Sequence, residues 1–438
     1  MGIKVVKFGG SSLASAEQFK KVKDIITSDP DRKYVVPSAP GKRHSGDTKV
    51  TDMLYSCYEN ASKGENIDEE FDKIRERYNG IIEELGLDMS LEAEFEAIKY
   101  AFRHKSGRDF AASRGEYLNG MILAKYLNFD FIDAASVIFF KADGTFDSER
   151  TNTILSVTLQ SHSTAVIPGF YGSMPNDTIK TFSRGGSDIT GSIVARAANA
   201  TLYENWTDVS GFMMADPRII ENPKPISYIT YRELRELSYM GATVLHEDAV
   251  FPVRLMGIPI NIKNTNKPDD AGTMIVSEAP LNDDGPVITG IAGKKNFSVI
   301  TIEKDMMNQE LGFGRRMLEA IEKNKISFEH LPSGIDTMSV VVAESNLVGK
   351  REQVILDICK AVDPDHIAIE DGVALIAVVG RRMVSSRGTA AKIFSAISKE
   401  EVNIRTIDQG SSELNIIIGV RNEDFEKAMK AIYKAFVD

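Results

Sequence analysis

Ile3-Lys4-Val5-Val6-Lys7-Phe8-Gly9-Gly10-Ser11-Ser12 reads as a buried strand and the turn that ends it. Val5 and Val6 are β-branched and open an apolar run, the pattern of a strand covered on both faces. Gly9 and Gly10 carry no Cβ, so the backbone there turns sharply and admits a ligand closely. Successive N–H groups in such a turn cradle phosphate oxygens, and a helix expected to begin near Ala16 adds its positive end. Lys7 stands where strand gives way to turn, with its ammonium beside those phosphates. The lysine precedes the glycines, so this is not the G-x-x-x-x-G-K-[ST] loop.

Working outward, Ala16 to Ile26 places Phe19, Val22, Ile25 and Ile26 at helical spacing. Tyr34-Val35-Val36 is a second strand, ending in Pro37-Ser38-Ala39-Pro40-Gly41-Lys42. A β-α-β opening of this length predicts an α/β fold with a mostly parallel sheet. Ligands of such sheets gather at the carboxyl ends of the strands, where Lys7 and Ser38 both fall. Arg43 to Lys49 reads as a polar loop, followed by a helix from about Thr51-Asp52. Residues 65–105 are rich in Glu, Lys and Arg at helical spacing and predict two or three amphipathic helices with solvated charged faces. Ser113-Arg114-Gly115-Glu116 is expected to open a helix to about Leu127, with Glu116 in its first turn.

A second glycine-rich region follows. Thr164-Ala165-Val166-Ile167 enters the turn Pro168-Gly169-Phe170-Tyr171-Gly172, and Thr181 to Asp188 leads into a helix expected over Ile189–Asn199. Gly185-Gly186 permits close approach of the backbone, and Ser187 or Asp188 is expected to cap the helix. Arg184 offers a planar fork suited to a carboxylate or phosphate. Tyr203 to Gly211 and Ala215-Asp216-Pro217-Arg218 read as a strand end and a nucleotide-facing loop. A strand is expected over Ile258–Lys263, and Ala279 to Pro286 has the composition of a linker.

Beyond the linker the chain repeats itself. An offset of 76 residues lays Phe297–Val342 on Val373–Ile418 without a gap. Gly312 meets Gly388, Gly334 meets Gly410, and Val340-Val341-Val342 meets Ile416-Ile417-Ile418. Each copy reads strand, glycine turn, helix, two strands and a last helix, a module with too little core to stand alone. Pairing of the two copies is expected.

Composition narrows the classes of function. The 438-residue chain has a formal net charge of −11, which argues against a nucleic-acid partner. Its six histidines show no metal-ligand spacing, and its two cysteines, Cys57 and Cys359, supply no disulfide framework. No apolar run approaches the ~20 residues that span a bilayer. A first strand directly after Met1-Gly2 leaves no room for a signal peptide, and the expectation is a cytoplasmic protein with no membrane partner.

With K-F-G-G-S-S at Lys7–Ser12, S-R-G-G-S-D at Ser183–Asp188, W-T-D-V at Trp206–Val209 and the doubled tail, the chain resembles the monofunctional aspartate kinases of the amino-acid kinase superfamily. The resemblance implies an open, mostly parallel sheet flanked by helices over residues 1–282. Two α+β, ferredoxin-like ACT modules would follow at 287–366 and 367–438. It implies phosphorylation of the β-carboxylate of L-aspartate by ATP, with Mg2+ carried by the nucleotide and no metal ligand from the protein. Lys7 would stabilise the transferring phosphoryl group with Asp188 positioning it, and Gly9, Gly10 and Ser11 would bind phosphate. Arg184 would clamp the α-carboxylate and Glu116 the α-ammonium, while Ser38, Thr51, Phe170 and Ser187 complete the pocket. Thr207, Asp208, Met213, Arg218 and Thr243 fall on the nucleotide side. Met213 stands where an aromatic often packs, and Thr243 where many relatives have lysine. The ACT modules imply an amino-acid effector, lysine most commonly and threonine as the alternative. Its expected contacts are Asn308, Gly312, Phe313, Ser327, Glu329, Gly334 and Asp336. They also imply a homodimer or a dimer of dimers.

Overall fold

The computed structural model describes residues 2–183, 185–242, 245, 247–279 and 285–437. It divides into two compact units: Met1–Phe212 with Pro225–Tyr231 and Val244–Leu281, and Met213–Lys224 with Arg232–Thr243 and Asn282–Asp438. A single cut near residue 282 therefore does not describe the division. The second unit takes in two segments that the expected boundary gives to the first, for local reasons. The Met214 carbonyl accepts from Ile291 N–H at 2.6 Å, and the fully buried Glu233 carboxylate accepts from Thr289 Oγ1 and Arg381 Nη1.

The first unit contributes strands β1 (Lys4–Phe8), β2 (Arg32–Pro37), β3 (Asp130–Phe131), β4 (Ala165–Val166), β5 (Tyr171–Ser173), β6 (Ile179–Thr181), β7 (Leu202–Thr207), β8 (Tyr228–Thr230), β9 (Ile260–Asn264) and β10 (Thr273–Val276). Eight of them form one sheet in the order β3-β4-β2-β1-β7-β9-β10-β8, while β5 and β6 form a separate hairpin. Every pairing in the large sheet is parallel except β9 with β10. β1 is central because Val5, Val6 and Phe8 are all fully buried, which only an interior strand covered on both faces allows. The chain steps from β1 to β2 on one side and later to β7 on the other. That makes the carboxyl end of β1 the switch point where α/β sheets take their ligands.

Two helix starts differ from expectation. The helix holding Glu116 runs Arg108–Leu127 and begins after Gly107, at φ 101°. Glu116 therefore lies in its buried interior rather than its first turn, too far from the helix start to gain from the dipole. The helix after the second glycine pair is Gly186–Ala197, and neither Ser187 nor Asp188 caps it. Gly185 occupies the cap at φ 58°, a left-handed conformation that costs glycine little, which draws both polar residues into the first turn. The stretch at 65–105 forms the helices Asp68–Glu84 and Glu92–Arg103, as the spacing predicts. Their buried faces nevertheless include Arg77 and Lys99 beside Phe71, Ile74, Phe95 and Phe102.

The second unit holds β11 (Gly290–Glu303), β12 (Thr337–Ala343), β13 (His366–Val379), β14 (Thr406–Asp408) and β15 (Asn415–Arg421). They form a single antiparallel sheet in the order β12-β11-β13-β15-β14, with β11 on β13 joining the two copies of the repeat. The helices Phe313–Lys323 and Thr389–Lys399 are related by the same offset, each starting at a left-handed glycine, Gly312 at φ 79° and Gly388 at φ 82°. The first copy departs from the expected pattern, since its middle strand is reduced to bridges at His330 and Ser333. The expected linker falls largely outside the described residues. Among the described residues no helix is long and apolar enough to cross a membrane.

Candidate active site

At the carboxyl end of β1 the backbone makes two close approaches. Gly9 N–H donates to the Trp206 carbonyl at 2.9 Å, fixing the turn to β7. Gly41 N–H donates to the Gly10 carbonyl at 2.8 Å, fixing it to the loop after β2. A Cβ on Gly10 would stand 2.9 Å from the Ala39 carbonyl oxygen, and one on Gly41 would stand 2.6 Å from Gly10 carbonyl carbon. Only glycine fits at either position.

Lys7 points into this edge, 7% exposed. Its Nζ lies 2.5 Å from Asp188 Oδ1, and it donates to Asn205 Oδ1 at 3.4 Å. Asn205 Nδ2 in turn donates to Asp188 Oδ1 at 2.8 Å, and Tyr203 hydroxyl donates to the Asp188 carbonyl at 3.1 Å. Lys7 and Asn205 sit in register on adjacent strands. The lysine ammonium is thus oriented by two side chains and aimed beside the glycine turn. Asn205 was not singled out by the motifs. The available signal was a polar residue in an otherwise buried strand, immediately before Trp206.

Ser38, Thr51 and Glu116 converge around Ala39 and Gly115. A Cβ on Gly115 would lie 2.8 Å from Ala39 Cβ and 3.8 Å from Thr51 Oγ1. Ser38 is held from both sides, its N–H donating to the Phe8 carbonyl and its carbonyl accepting from Asn119 Nδ2 at 2.6 Å. Glu116 is 5% exposed. Burial pushes its carboxyl up to about 8, opposed by an N–H donated from Ala39. Its Oε2 has no hydrogen-bond partner among the described residues, an expensive state for a buried carboxyl unless a ligand completes it.

Phe170 lies against Gly186, and Ser187 lies against Gly169. Gly186 leaves no room for a Cβ beside the Phe170 ring, and a Cβ on Gly169 would come within 2.6 Å of Ser187 Oγ. Phe170 itself is held at φ 81°, where its N–H donates to Thr190 Oγ1 at 3.0 Å. An aromatic residue in the left-handed region is strained, and such strain persists where the surroundings impose it. Arg184 lies outside the described residues, as does Thr243.

Thr207 ends β7 and donates to Asp208 Oδ1 at 3.2 Å. Met213 and Arg218 belong to the second unit, where the exposed Arg218 guanidinium is bonded to both oxygens of Asp216 at 2.6–3.1 Å. Among the effector candidates, Ser327, Gly334 and Asp336 are exposed and Glu329 is half-buried. Asn308 lies in the turn Met307–Gln309, and Gly312 caps the helix that follows. Phe313 is 4% exposed and packs in the core with Met317, Ile321 and Val354. Among the described residues no group of three or more His, Cys, Asp or Glu side chains is placed to hold a metal.

Residues 2–264 match the model of the amino acid kinase family, and residues 376–436 match that of the ACT domain. Aspartokinase 3 of Bacillus subtilis (strain 168) is 41% identical over 99% of this chain and 98% of its own length. The crystal structure of Clostridium acetobutylicum aspartate kinase, described as an allosteric enzyme, covers both chains fully at 56% identity and a TM-score of 0.91. Aspartokinase III of E. coli has been solved with aspartate and ADP and with lysine and aspartate. At 24% identity and a TM-score of 0.75 over the whole of both chains, it shares the fold.

Proposed function

The chain belongs to the amino acid kinase family, as an aspartate kinase, and from that premise we propose that MgATP is its phosphoryl donor and L-aspartate its acceptor. The observation that carries this reading is the meeting, at one sheet edge, of an oriented ammonium and a glycine turn with a buried carboxyl, one oxygen of which lacks a partner among the described residues. Lys7 with the Gly10 amide suits a polyphosphate, while the Gly9 N–H is already taken by the Trp206 carbonyl. Glu116 with Ser38 and Thr51 suits a small amino acid whose ammonium completes the carboxyl. Arg184 and Ser187 then take its α-carboxylate, with Phe170 closing the pocket. Ser11 adds to the phosphate cradle, and Thr207 and Asp208 serve the nucleotide.

The chemistry needs no protein nucleophile and no general base. A β-carboxylate has a pKa near 3.9 and is already ionised at neutral pH. One of its oxygens bonds to the γ-phosphorus while the bond to the β-phosphate oxygen breaks, giving 4-phospho-L-aspartate and ADP. The obstacle is repulsion between two anions that must be held in line. Lys7 lowers it by fixed charge, and Asp188 with Asn205 keeps the ammonium from swinging away. Mg2+ carried by the nucleotide would supply neutralisation of phosphate charge.

We assign the reaction to the first step of lysine, threonine and methionine biosynthesis in the cytoplasm. Feedback would come from an amino acid, lysine in the first instance, bound at ACT modules that also carry the contacts of a homodimer or a dimer of dimers. Trapping the acyl phosphate as a hydroxamate tests the reading directly. Product is expected with aspartate and ATP, and its formation is expected to fall when lysine is added. No hydroxamate from aspartate would refute the activity, and inhibition by threonine alone would reassign the effector.

Glu116 gives the reaction a pH signature. Burial pushes its carboxyl up to about 8, and it must be ionised to hold an ammonium. The KM for aspartate is therefore expected to fall as pH rises from 6 to 8, by up to about tenfold per unit, and Glu116→Gln is expected to abolish the slope. A flat wild-type profile over this range would remove Glu116 from ammonium binding. The same group acts on stability in the opposite sense. Its pKa is higher folded than unfolded, so the folded protein is favoured below about 4.5 and loses that contribution as pH rises through about 8.

A further inference from the structure

Arg77 lies in the middle of the helix Asp68–Glu84, in the charged stretch that by sequence needs no more than a solvated face. It is instead 8% exposed, on the face that also buries Phe71, Ile74, Tyr78 and Ile81. A guanidinium is costly to bury unless its donors are used, and the partners of this one are specific. Nη2 donates to the Ala14 carbonyl at 3.0 Å and to the Gly41 carbonyl at 2.7 Å. Nη1 donates to Asp47 Oδ2 at 2.7 Å.

These three acceptors belong to the pieces that must be in register for the reaction. Ala14 closes the turn Gly10–Leu13 that forms the phosphate cradle. Gly41 ends the loop that carries Ser38 and is bonded to Gly10. Asp47 lies in the polar segment between that loop and the helix carrying Thr51. There Arg43 also grips it through its backbone N–H, Nε and Nη2, and the two guanidinium groups hold its carboxyl far below the usual carboxylate range. One nitrogen of Arg77 thus straddles the contact between the cradle and the aspartate pocket, while the other anchors the loop beyond it. Tyr78, the next residue, donates to the Gly115 carbonyl at 2.8 Å, beside Glu116.

We propose that Arg77 is a positioning residue for phosphoryl transfer: it sets the separation of the Gly9–Ala14 turn from the Ser38–Gly41 loop, and so the distance between the two reacting anions, without touching either. The inference rests on the aspartate kinase reading above. A lysine cannot do this work, because one ammonium on a flexible stem does not reproduce a planar fork spanning three acceptors.

The test is steady-state kinetics of the full-length protein, with kcat and both KM values, alongside circular dichroism and thermal unfolding. Hydroxamate formation by the wild type tests the reading itself, and the variant-to-wild-type ratio tests this inference. Arg77→Met and Arg77→Lys are expected to lower kcat by about 10²-fold while folded, the cost of roughly 1 Å of misplacement, and to raise the KM for aspartate. Arg75→Met, which removes exposed ion pairs from the same helix, is expected to keep wild-type constants. A purely structural Arg77 would lower the melting temperature and leave kcat and KM unchanged in the folded variant, and that result overturns the proposal. If Arg77→Met does not fold, Arg77→Lys decides the matter. If neither folds, Asp47→Asn, outside the core, carries the comparison with an expected loss of about tenfold in kcat and is overturned by wild-type constants.

Discussion

Lys7→Ala is expected to lower kcat by at least about 10²–10³-fold, the usual cost of removing one preorganised donor from a developing charge. The substitution deletes a cation beside the glycine turn and leaves Asp188, which lies 2.5 Å from Lys7 Nζ in the intact site, as a net negative charge. A site meant to bring two anions together would then hold a third. Binding of ATP is expected to weaken as well, though less, because the backbone amides of the turn remain. Aspartate and ATP turnover followed by ADP release measures both effects. A variant that turns over at the wild-type rate would remove Lys7 from the chemistry. Asn205→Ala is expected to show a smaller loss in the same direction, since Asn205 orients Lys7 and Asp188 and carries no charge of its own.

Gly41→Ala is expected to cost about 10²-fold in kcat/KM with the fold intact. Its Cβ would stand 2.6 Å from the carbonyl carbon of Gly10 and 2.8 Å from the Ser11 nitrogen, where carbon atoms pack at about 3.5–4.0 Å. Both neighbours are backbone and cannot rotate aside, so the loop after β2 and the turn after β1 must part by roughly 1 Å, enough to spoil an in-line geometry. Gly80→Ala is the contrast. It sits in the helix Asp68–Glu84 with nothing within 4 Å of the added methyl, and is expected to leave activity alone and add about 0.4–1 kcal/mol of stability. Equal behaviour of the two variants in the kinase assay would show that the approach of Gly10 and Gly41 does not matter.

Much of this was legible in the chain because it depends on local chemistry. A β-branched run ended by two glycines reads as a strand and a tight turn wherever it folds, which put Lys7 at the carboxyl end of a strand. Periodicity likewise gave amphipathic helices within 65–105, where the structure has them at 68–84 and 92–103. The repeat offset placed the two antiparallel halves of the second sheet, down to matching left-handed glycines at Gly312 and Gly388. Local signals failed where a helix start depends on a preceding glycine rather than a polar cap. Gly107 and Gly185 each moved a boundary, and with it the meaning of Glu116, Ser187 and Asp188.

The sequence by itself determined the residue types, the strand-turn pairs and the doubled tail, since these are set by sterics and hydrophobic period within a few residues. Only the tertiary structure decided that Asn205 steadies Lys7, that Glu116 is buried with a carboxyl oxygen lacking a partner, and that Arg77 reaches inward to Ala14, Gly41 and Asp47. Burial and hydrogen-bond partnership are properties of which distant segments come to lie side by side. A charged residue on a helix carries the same local pattern whether its other face meets water or two loops of an active site.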